Sequence, residues 1–527
     1  MSNKIIKLID QGLLEEALSQ LQVALKNNPG NDGLWFLTTI VYERMNDLSK
    51  AYFCLESALA LQANNTHYLA YQAKLLSHGN GIIAISCHAL SMAKEIVDKL
   101  EIAQIDTPET LVIIATVYRK LKDFDRTLTC YEKALSHSNQ KKPIKNIHND
   151  LAVVYQLYNH NQRAIEHFNA AISNNTQDYM AFWQLSQLTL EQPEKTITHI
   201  NKVLDRYSDD TNAQIYLHYA LARIKEKQQD YAASFKHLQQ GSLAYKKIHP
   251  YKVDEDLAYF KQLAHSYTQD FLAHSSVGDT PAACPIFIVG LPRTGTTLVE
   301  QIINGSPQVS SAGELLHFNR FFEAACSQRN PSQTGLARYQ HLESLDYDQL
   351  GQLYLQSCAP LTGDTPYFID KYPFNFMLVG AIAKAIPQAK FVHIQRNPMD
   401  ACFSNFKHLF RFNSANYSYS LDDLGHYYLG YQALTDHWQQ CLPNNFYTLS
   451  YDDLVSDPVT QSQALMQFLG LEWHPELLDF HLSKQAVSTP SAAQVKQKIY
   501  RSSQQHWRHY EKELTPLANF FEESITH

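Results

Sequence analysis

A strand-turn-helix stretch near the middle of the chain has the residue types of an anion-binding loop. Residues 286–297 read IFIVGLPRTGTT, so a strand-forming run leads into a turn that carries glycines, an arginine and threonines. Gly290 and Gly295 let the backbone turn with its N–H groups pointing inward. The helical pattern that begins at Thr296 places a helix N-terminus, with its partial positive charge, beneath a bound anion. The stretch therefore predicts a cradle for phosphate or a phosphate-like group.

This loop lacks the features of a nucleotide-hydrolysing P-loop. That motif reads G-x-x-x-x-G-K-[ST], with the lysine on the β- and γ-phosphates and the hydroxyl on Mg²⁺. Here Thr296 stands at the lysine position, and Arg293 supplies the charge from the crown of the loop instead. We also find no strand that ends in an aspartate suited to magnesium. A kinase that depends on ATP and Mg²⁺, or a generic strand-turn-helix corner, is therefore the less favoured interpretation.

A second strand predicts a second anion site. Residues 390–395, KFVHIQ, have the pattern of a buried strand and are followed directly by Arg396. In open parallel sheets, ligands bind in the crevice at the carboxyl ends of the strands. A cation at that position predicts an anion that is held by charge rather than through a metal ion.

Together these motifs resemble those of sulfotransferases that use 3′-phosphoadenosine 5′-phosphosulfate (PAPS). Residues 285–314 resemble the 5′-phosphosulfate loop of these enzymes, and residues 390–404 resemble their 3′-phosphate site. The resemblance is strongest to bacterial proteins that join tetratricopeptide repeats to such a domain, and beyond them to tyrosylprotein sulfotransferases. It covers the C-terminal half of the chain and implies a central parallel β-sheet flanked by helices.

The resemblance also implies a set of nucleotide contacts. Arg396 and Ser404 stand eight residues apart, so a strand end and the second turn of the next helix would converge on the 3′-phosphate. Tyr451 matches a tyrosine that lies near the nucleotide, although a tyrosine at a helix entry is equally ordinary. The implied contacts are Arg293, Thr294, Gly295, Thr296, Thr297, Arg396, Ser404, Tyr451, Ser491 and Gln494.

The end of the chain resembles a loop that folds over the nucleotide. Residues 488–510 are low in apolar residues and offer polar and basic side chains to solvent, with Trp507 as the anchor. Basic residues in such a gating loop can shift in identity. His408 and His506 stand where the tyrosylprotein enzymes have an arginine and a lysine, and the sequence leaves open whether they replace those contacts.

Three residues receive catalytic roles from the same resemblance. Sulfuryl transfer to a hydroxyl needs a base for the acceptor's proton and cations for the charge on the sulfonate and phosphate oxygens. The A-G-E sequence at Glu314 matches the C-G-E context of the base in the tyrosylprotein enzymes. The D-K-Y-P-F sequence at Lys371 matches the context of a lysine on the bridging oxygen, where it would stabilise the leaving 3′,5′-phosphoadenosine phosphate. Arg293 in the phosphosulfate loop completes the set.

Each of these assignments has an alternative. Gly313 and Glu314 are predicted to open the next helix, so Glu314 is also explained as an acidic residue in its first turn, where the helix dipole favours it. His317 is the alternative base, because the cytosolic small-molecule sulfotransferases use a histidine, although a lone histidine on a helix is more often structural. Lys371 is alternatively explained by a surface salt bridge with Asp370, a kind of pair that contributes only about 0 to 1 kcal/mol.

The N-terminal half contains a sequence repeat. A motif that includes Ala17 and Leu21 recurs 34 positions later at Ala51 and Leu55, which is the tetratricopeptide period. Farther on, a motif that begins at Ala115 recurs after 37 positions. Such helix pairs bury their apolar faces only by stacking. We therefore predict an α-solenoid of about six or seven units, and an ordinary helical bundle is the alternative. The concave face of the solenoid would suit a peptide or protein.

Composition excludes several classes of protein. The chain has 527 residues, of which 45% are hydrophobic and 18% charged. It has no apolar run of transmembrane length, and its first residues read as an amphipathic helix rather than a signal peptide. The net charge of −8 argues against a general nucleic-acid binder. Since the sequence shows neither a transmembrane run nor a signal peptide, we expect a cytoplasmic protein. The eight cysteines include no C-x-x-C pair, so we expect neither a disulfide framework nor a zinc site.

These patterns predict two domains and a function. A tetratricopeptide-type solenoid is expected over residues 1–265, a linker over 266–284 and a P-loop-like sulfotransferase domain over 285–527. The resemblance implies transfer of a sulfonate group from PAPS to an acceptor hydroxyl, with a tyrosine of a peptide or protein on the solenoid as the first choice. Carbohydrate and small-molecule hydroxyls stay open. The alternative from another functional class is a repeat scaffold whose second half binds a nucleotide without turnover.

Overall fold

The computed structural model describes residues 2–78, 89–138, 146–273, 283–410, 413–482 and 504–525. The chain divides into two compact units, which meet in sequence at Val154 and Tyr155. The described part of the first unit is helical. The second unit contains further helices and a parallel β-sheet.

The first unit is a series of helices joined by short connections. They are α1 (Ser2–Asp10), α2 (Leu14–Asn27), α3 (Asp32–Arg44), α4 (Leu48–Leu61), α5 (Thr66–His78), α6 (Ala89–Lys99), α7 (Pro108–Lys120), α8 (Phe124–His137) and α9 (Ile147–Leu157), the last of which continues into the second unit. Consecutive helices pack together, notably α3 on α4 and α7 on α8. The side chains of Asp47 and Asp123 cap α4 and α8 by accepting from backbone N–H groups.

The repeated residues lie inside this unit. Ala17, Leu21, Ala51 and Leu55 are all completely buried. Small side chains at these positions let the two helices of a pair approach closely, while larger ones fill the space between pairs. The predicted helical repeat is confirmed over this part of the chain.

The second unit begins with helices of the same kind. They are α10 (Asn161–Asn174), α11 (Tyr179–Gln187), α12 (Pro193–Arg206), α13 (Thr211–Lys227), α14 (Tyr231–Ile248), α15 (Val253–Ser266) and α16 (Gln269–Ala273). The carboxylates of Asp210 and Asp230 cap α13 and α14. These two helices pack along each other and face the sheet.

Five strands form one sheet in which every neighbouring pair is parallel. They are β1 (Cys284–Gly290), β2 (Val309–Gly313), β3 (Tyr367–Asp370), β4 (Lys390–Gln395) and β5 (Phe446–Ser450). Their spatial order is β2-β3-β1-β4-β5, so the strand that enters the glycine loop lies at the centre. The register aligns Ile286 with Ile369 of β3 and with Lys390 of β4.

Helices cover both faces of this sheet. They are α17 (Thr296–Asn304), α18 (His317–Arg329), α19 (Tyr347–Thr362), α20 (Val379–Ala385), α21 (Pro398–Phe406), α22 (Leu421–Cys441), α23 (Tyr451–Ser456), α24 (Pro458–Leu469) and α25 (Thr515–Ile525). Ile286 and Ile288 of β1 belong to the core formed with α17 and α24, whereas Phe287 and Val289 belong to a larger core on the other face. Alternate side chains of one strand thus enter two cores, as in other covered parallel sheets. The predicted fold class is confirmed.

The larger core also includes residues of α13, α14 and α15. Tyr219, Phe235 and Leu263 lie in the same buried cluster as Phe287. The repeat-type helices that precede the sheet therefore form one compact unit with it. The domain boundary at residue 265 and the linker that follows it stay predictions.

Candidate active site at the carboxyl edge of the sheet

The predicted site residues follow the ends of the strands. Parallel strands end at the same edge of a sheet, so the residues that come next lie near one another. The residues that directly follow strands β1 to β5 are Leu291, Glu314, Lys371, Arg396 and Tyr451. Because of the strand order, the glutamate and the lysine lie on one side of the β1 loop, and the arginine and the tyrosine lie on the other.

Positive φ angles shape the loop that follows β1. They are 152° at Gly290, 67° at Arg293 and 106° at Gly295. A Cβ atom on Gly290 would lie 2.8 Å from the carbonyl oxygen of Ile394, and a Cβ atom on Gly295 would lie 2.3 Å from a ring carbon of Tyr451. Both contacts are closer than van der Waals packing allows. The loop therefore needs glycine at these two positions to lie against the ends of β4 and β5.

Helix α17 begins in this loop without a side-chain cap. Gly295 is its N-cap, and the first N–H groups of a helix have no acceptor within the helix. Thr294, Thr296 and Thr297 are almost fully buried around it. The hydroxyl of Thr294 donates to the carbonyl of Leu291 at 2.7 Å and so closes the turn. A helix N-terminus flanked by buried hydroxyl residues suits an anion, as the sequence predicts.

Arg396 lies against both the loop and Ser404. Its Nη1 donates to the carbonyl oxygen of Arg293 at 3.0 Å and lies 3.4 Å from Ser404 Oγ. The guanidinium also stands over the ring of Tyr451, 4.9 Å from the centroid, and the residue is only 8% exposed. The two predicted anion motifs are therefore in direct contact. The roles of these residues in nucleotide binding stay predictions.

Helix α21 holds the loop from the other side. Asn397 caps the helix by accepting from two backbone N–H groups, and Pro398 occupies its first turn. Within the helix, Asn405 Nδ2 donates to the carbonyl of Pro292 at 2.8 Å. The Tyr417 hydroxyl donates to the amide oxygen of Asn405 at 3.1 Å. Asn405 was not singled out from the sequence, where a single amide in a short helix carries no distinct signal.

Lys371 lies between two carboxylates on the opposite side of the loop. It is 1% exposed, and its Nζ contacts Glu314 Oε1 and lies 3.9 Å from Glu300 Oε2. Glu300, from α17, is buried and accepts a hydrogen bond from the Ser311 hydroxyl at 2.5 Å. The alternative of a surface salt bridge with Asp370 is wrong, because Lys371 is buried and its ion-pair partners are these two glutamates.

Asp370 has a structural role at the end of β3. It is fully buried, and its carboxyl group accepts from the Tyr354 hydroxyl at 2.8 Å and from the backbone N–H of Leu315 at 3.3 Å. Burial raises the pKa of Asp370 to about 7, and the nearby charge of Glu314 acts in the same direction. This residue fixes the turn in which Glu314 lies.

Glu314 precedes helix α18 rather than beginning it. A register shift between Ser311 and Gly313 lets β2 continue to Gly313, and the helix starts only at His317. The prediction that Gly313 and Glu314 open the helix is therefore wrong, and so is the explanation of Glu314 by the dipole of its first turn. The side chain of Glu314 is 43% exposed, so its carboxylate is accessible from solvent.

His317 is poorly suited to be the base. Its Nδ1 lies 3.0 Å from the Ser357 hydroxyl. Burial, together with the nearby charge of Arg320, lowers the pKa of His317 to about 4. The imidazole is therefore neutral at pH 7, but it is engaged with α19 and not with Lys371.

The C-terminal site residues are only partly described. Ser491 and Gln494 lie outside the described residues, so their predicted contacts stay predictions. Trp507 is described, and its backbone N–H donates to Asp400 Oδ1 at 3.4 Å. His506 Nε2 lies 2.8 Å from a carboxylate oxygen of Glu226 in α13.

His408, which stands where the tyrosylprotein enzymes have an arginine, lies among aromatic rings. Its ring centroid is 6.3 Å from that of Trp183 and 4.6 Å from that of Phe410. Glu300 and Glu226 were not identified from the sequence. Glu300 could have been noticed because it interrupts an apolar helical stretch, whereas no pattern near Glu226 points to the site.

Several features are missing from the described part of the chain. It contains no group of three or more histidine, cysteine, aspartate or glutamate residues that could hold a metal ion. No helix among those described is long and apolar enough to cross a membrane. All the cysteines described there are free thiols.

Family models match both parts of the chain. Residues 285–475 match the sulfotransferase family, and residues 8–75 and 108–140 match tetratricopeptide repeats. The sulfotransferase match spans the sheet except for Cys284, and it includes every strand end described above. The chain therefore joins segments that match tetratricopeptide repeats to a domain that matches the sulfotransferase family.

The chain is also similar to individual proteins. The chain is 30% identical over 314 residues to an uncharacterised protein of Aquifex aeolicus, a match that covers 58% of this chain and 41% of the relative. It is 23% identical over 229 residues to protein-tyrosine sulfotransferase 2 of Gallus gallus, covering 42% of this chain and 59% of the relative. It is 33% identical over 108 residues to an omega-hydroxy-beta-dihydromenaquinone-9 sulfotransferase of Mycobacterium bovis, covering 19% and 28%. The chain thus spans less than half the length of the Aquifex protein.

Proposed function

We propose that this chain transfers a sulfonate group from PAPS to an acceptor hydroxyl. One observation carries the proposal: the Arg396 guanidinium contacts the glycine loop on one side of β1, and the Lys371–Glu314 pair lies on the other side. Sulfuryl transfer requires groups that bind the donor's anions, a cation at the leaving oxygen and a base for the acceptor. The glycine loop and the buried Arg396 suit the first role, and Lys371 and the accessible carboxylate of Glu314 suit the other two.

The spacing of these groups suits a nucleotide with phosphates at both ends. Neighbouring strands are about 4.8 Å apart, so β3 and β4, which flank β1, are separated by roughly 10 Å. The 5′-phosphosulfate would lie on the loop residues from Arg293 to Thr297, and the 3′-phosphate at Arg396 and Ser404. Gly290 and Gly295 support this fit, because only a residue without a side chain lets the loop backbone lie so close to Ile394 and Tyr451.

The proposed roles follow the positions of the side chains. Glu314 accepts the proton of the acceptor hydroxyl as the acceptor oxygen bonds to sulfur. The bond between sulfur and the phosphate oxygen breaks, and Lys371 stabilises the charge on that departing oxygen. Arg293 and the loop amides hold the sulfonate and phosphate oxygens. Tyr451 stacks beneath Arg396, which orients the guanidinium.

The acceptor is proposed to be a tyrosine of a peptide or protein. The tetratricopeptide repeats support this choice, since stacked helix pairs form extended surfaces for such ligands, and so does the name of the Gallus gallus relative. The name of the mycobacterial relative supports a second candidate, a small-molecule hydroxyl. A cytoplasmic location stays a prediction.

Ligand-induced stabilisation tests the nucleotide assignment. We expect 3′,5′-phosphoadenosine phosphate to raise the melting temperature of the full chain, because it binds the folded state through both phosphates. ATP with Mg²⁺ should have a smaller effect. An equal response to ATP would contradict the assignment and favour a kinase.

Transfer itself is tested with radiolabelled PAPS and candidate acceptors. Incubation with tyrosine-containing peptides should label the peptide, and a parallel panel of phenols, sugars and lipid alcohols tests the second candidate. Binding of PAPS without labelling of any acceptor, water included, would show a nucleotide-binding scaffold instead of an enzyme.

A further inference from the structure

A partly buried ion cluster joins helix α13 to the side of the sheet that carries Arg396 and Ser404. Glu226 lies near the end of this helix, and its side chain is 14% exposed. The carboxylate accepts from Lys407 Nζ at 2.8 Å and lies 2.8 Å from His506 Nε2. Arg223 is 3.5 Å away. Glu226 thus connects a repeat-type helix to the end of α21 and to the C-terminal segment.

The charge state of Glu226 makes this connection persistent. Burial alone would raise the pKa of Glu226, but the charges and hydrogen bonds of Lys407, His506 and Arg223 hold it well below its ordinary value. The carboxylate is therefore ionised at neutral pH. A buried charge with several partners is costly to disrupt, because each partner loses its compensation.

Helix α21 holds the same C-terminal segment a second time. The backbone N–H groups of Gln505 and Trp507 donate to the carboxylate of Asp400 at 2.7 and 3.4 Å. Asp400 is 2% exposed, and its Oδ1 lies 3.9 Å from Arg396 Nη2. Contacts therefore continue from Glu226 through residues 505–507 to Asp400 and the arginine at the loop.

Tyr510 adds a third attachment of this segment. Its hydroxyl lies 3.2 Å from Ser234 Oγ in α14, and its ring centroid lies 4.4 Å from that of Phe403 in α21. Tyr510 is completely buried. The turn around residues 506–510 is therefore held between two repeat-type helices and the helix that carries Ser404.

We infer that Glu226 is a positioning residue for the 3′-phosphate site: helix α13 holds residues 505–507 and the end of α21, which in turn hold Asp400 and Arg396. The inference rests on the proposed function, because it takes Arg396 and Ser404 as the 3′-phosphate contacts. According to this inference, helix α13, which the sequence places in the repeat solenoid, supports the nucleotide site.

The test compares two nucleotides on the full chain. Isothermal titration with 3′,5′-phosphoadenosine phosphate and with adenosine 5′-phosphate isolates the contribution of the 3′-phosphate. In Glu226→Gln, we expect the affinity for the first nucleotide to fall about tenfold, a typical size for coupling between sites. The affinity for the second should change less than about twofold. Equal weakening of both nucleotides, an unchanged ratio, or tighter binding of the first would overturn the inference.

A second ion pair between a repeat-type helix and the sheet domain provides the matched control. Lys246 of α14 lies 2.9 Å from Asp423 of α22. The two carboxylates are almost equally exposed, Asp423 at 15% and Glu226 at 14%, although Lys246 at 38% is more exposed than Lys407 at 20%. Asp423→Asn should leave the nucleotide ratio unchanged. If this control lowers the ratio as much as Glu226→Gln does, the effect is general loosening of the unit and the inference fails.

Hydrogen exchange separates this inference from the proposed function. In the absence of nucleotide, Glu226→Gln should speed exchange of the Gln505 and Trp507 amides, since both depend on the position of this segment. Failure of the unchanged protein to bind 3′,5′-phosphoadenosine phosphate would overturn the proposed function. Unchanged amide exchange in Glu226→Gln would overturn the positioning role whether or not the nucleotide binds.

Discussion

Lys371 has two carboxylate partners that differ in exposure. Glu314 is 43% exposed, whereas Glu300 is 7% exposed and held by Ser311. When Glu314 turns towards an acceptor hydroxyl, Glu300 still balances the charge of the buried lysine. A buried cation that lost all its partners would be strongly destabilised. At the scale of single residues, we therefore expect Glu300 to leave Glu314 available for its proposed role as the base.

The role of Glu314 predicts a specific kinetic defect. Glu314→Gln should lower kcat for sulfonate transfer by about 100-fold, because general-base catalysis contributes about that much. Binding of 3′,5′-phosphoadenosine phosphate should persist, because Glu314 lies on the side of the loop away from Arg396. His317→Asn is the control and should keep most of the activity. The opposite pattern, with the histidine variant inactive, would make His317 the base.

Glu300 is expected to affect turnover without touching the acceptor. In Glu300→Gln, Lys371 has Glu314 as its remaining carboxylate partner, so we expect kcat to fall about tenfold. The KM for PAPS should change little. Ser311→Ala is the matched variant, since it removes the hydrogen bond but keeps the charge, and it should have a smaller effect. Wild-type kcat in Glu300→Gln would contradict the proposed charge balance.

At the scale of elements, the loop and helix α17 depend on contact with the end of β5. The ring of Tyr451 lies against Gly295 and also under the Arg396 guanidinium. The aromatic ring therefore couples the two anion motifs. A side chain at position 295 would have to displace this ring and adopt a positive φ of 106°.

Replacement of this glycine should abolish nucleotide binding. Gly295→Ala places a Cβ atom 2.3 Å from the Tyr451 ring, so the loop or the ring must move. We expect calorimetry to detect no binding of 3′,5′-phosphoadenosine phosphate. Gly470→Ala is the control: it also has a positive φ, of 72°, but no atom within 4 Å of the new Cβ. It should cost about 1 kcal/mol of stability and leave binding intact; loss of binding in both variants would rule out the specific contact.

At the scale of the whole molecule, Asp370 links stability to pH. Its raised pKa means that the folded state binds the proton more tightly than the unfolded state. The stabilisation is fully present below the ordinary value of 3.8 and is lost as the pH rises through about 7. The buried carboxyl group of Asp370 therefore makes the folded protein more stable under mildly acidic conditions than at higher pH.

This linkage is measurable by denaturation. Between pH 5 and pH 8, the unfolding free energy of the unchanged protein should fall relative to that of Asp370→Asn by about 2 kcal/mol. Urea denaturation at several pH values measures the difference. Asp422→Asn, at a position that is 78% exposed, should follow the unchanged protein. If Asp370→Asn showed the same pH dependence as the unchanged protein, the assignment of a raised pKa would be wrong.

Local patterns in the sequence were enough to determine the repeat, the glycine loop and the strands around it. The 34-residue spacing of small residues and the run from Ile286 to Thr297 depend on neighbours in the chain. Positions directly after predicted strands, such as Lys371 and Arg396, could also be identified, because parallel strands end at one edge. The start of α18 was misplaced, since a register shift in β2 has no local signal.

Only the tertiary structure decided which partners the charged residues have. Lys371 pairs with Glu314 and Glu300 rather than with the adjacent Asp370, and Glu226 contacts a lysine 181 positions away. These choices depend on which faces of distant helices are buried together. A buried charge requires a partner, but the sequence does not specify which of many distant residues the fold brings within reach.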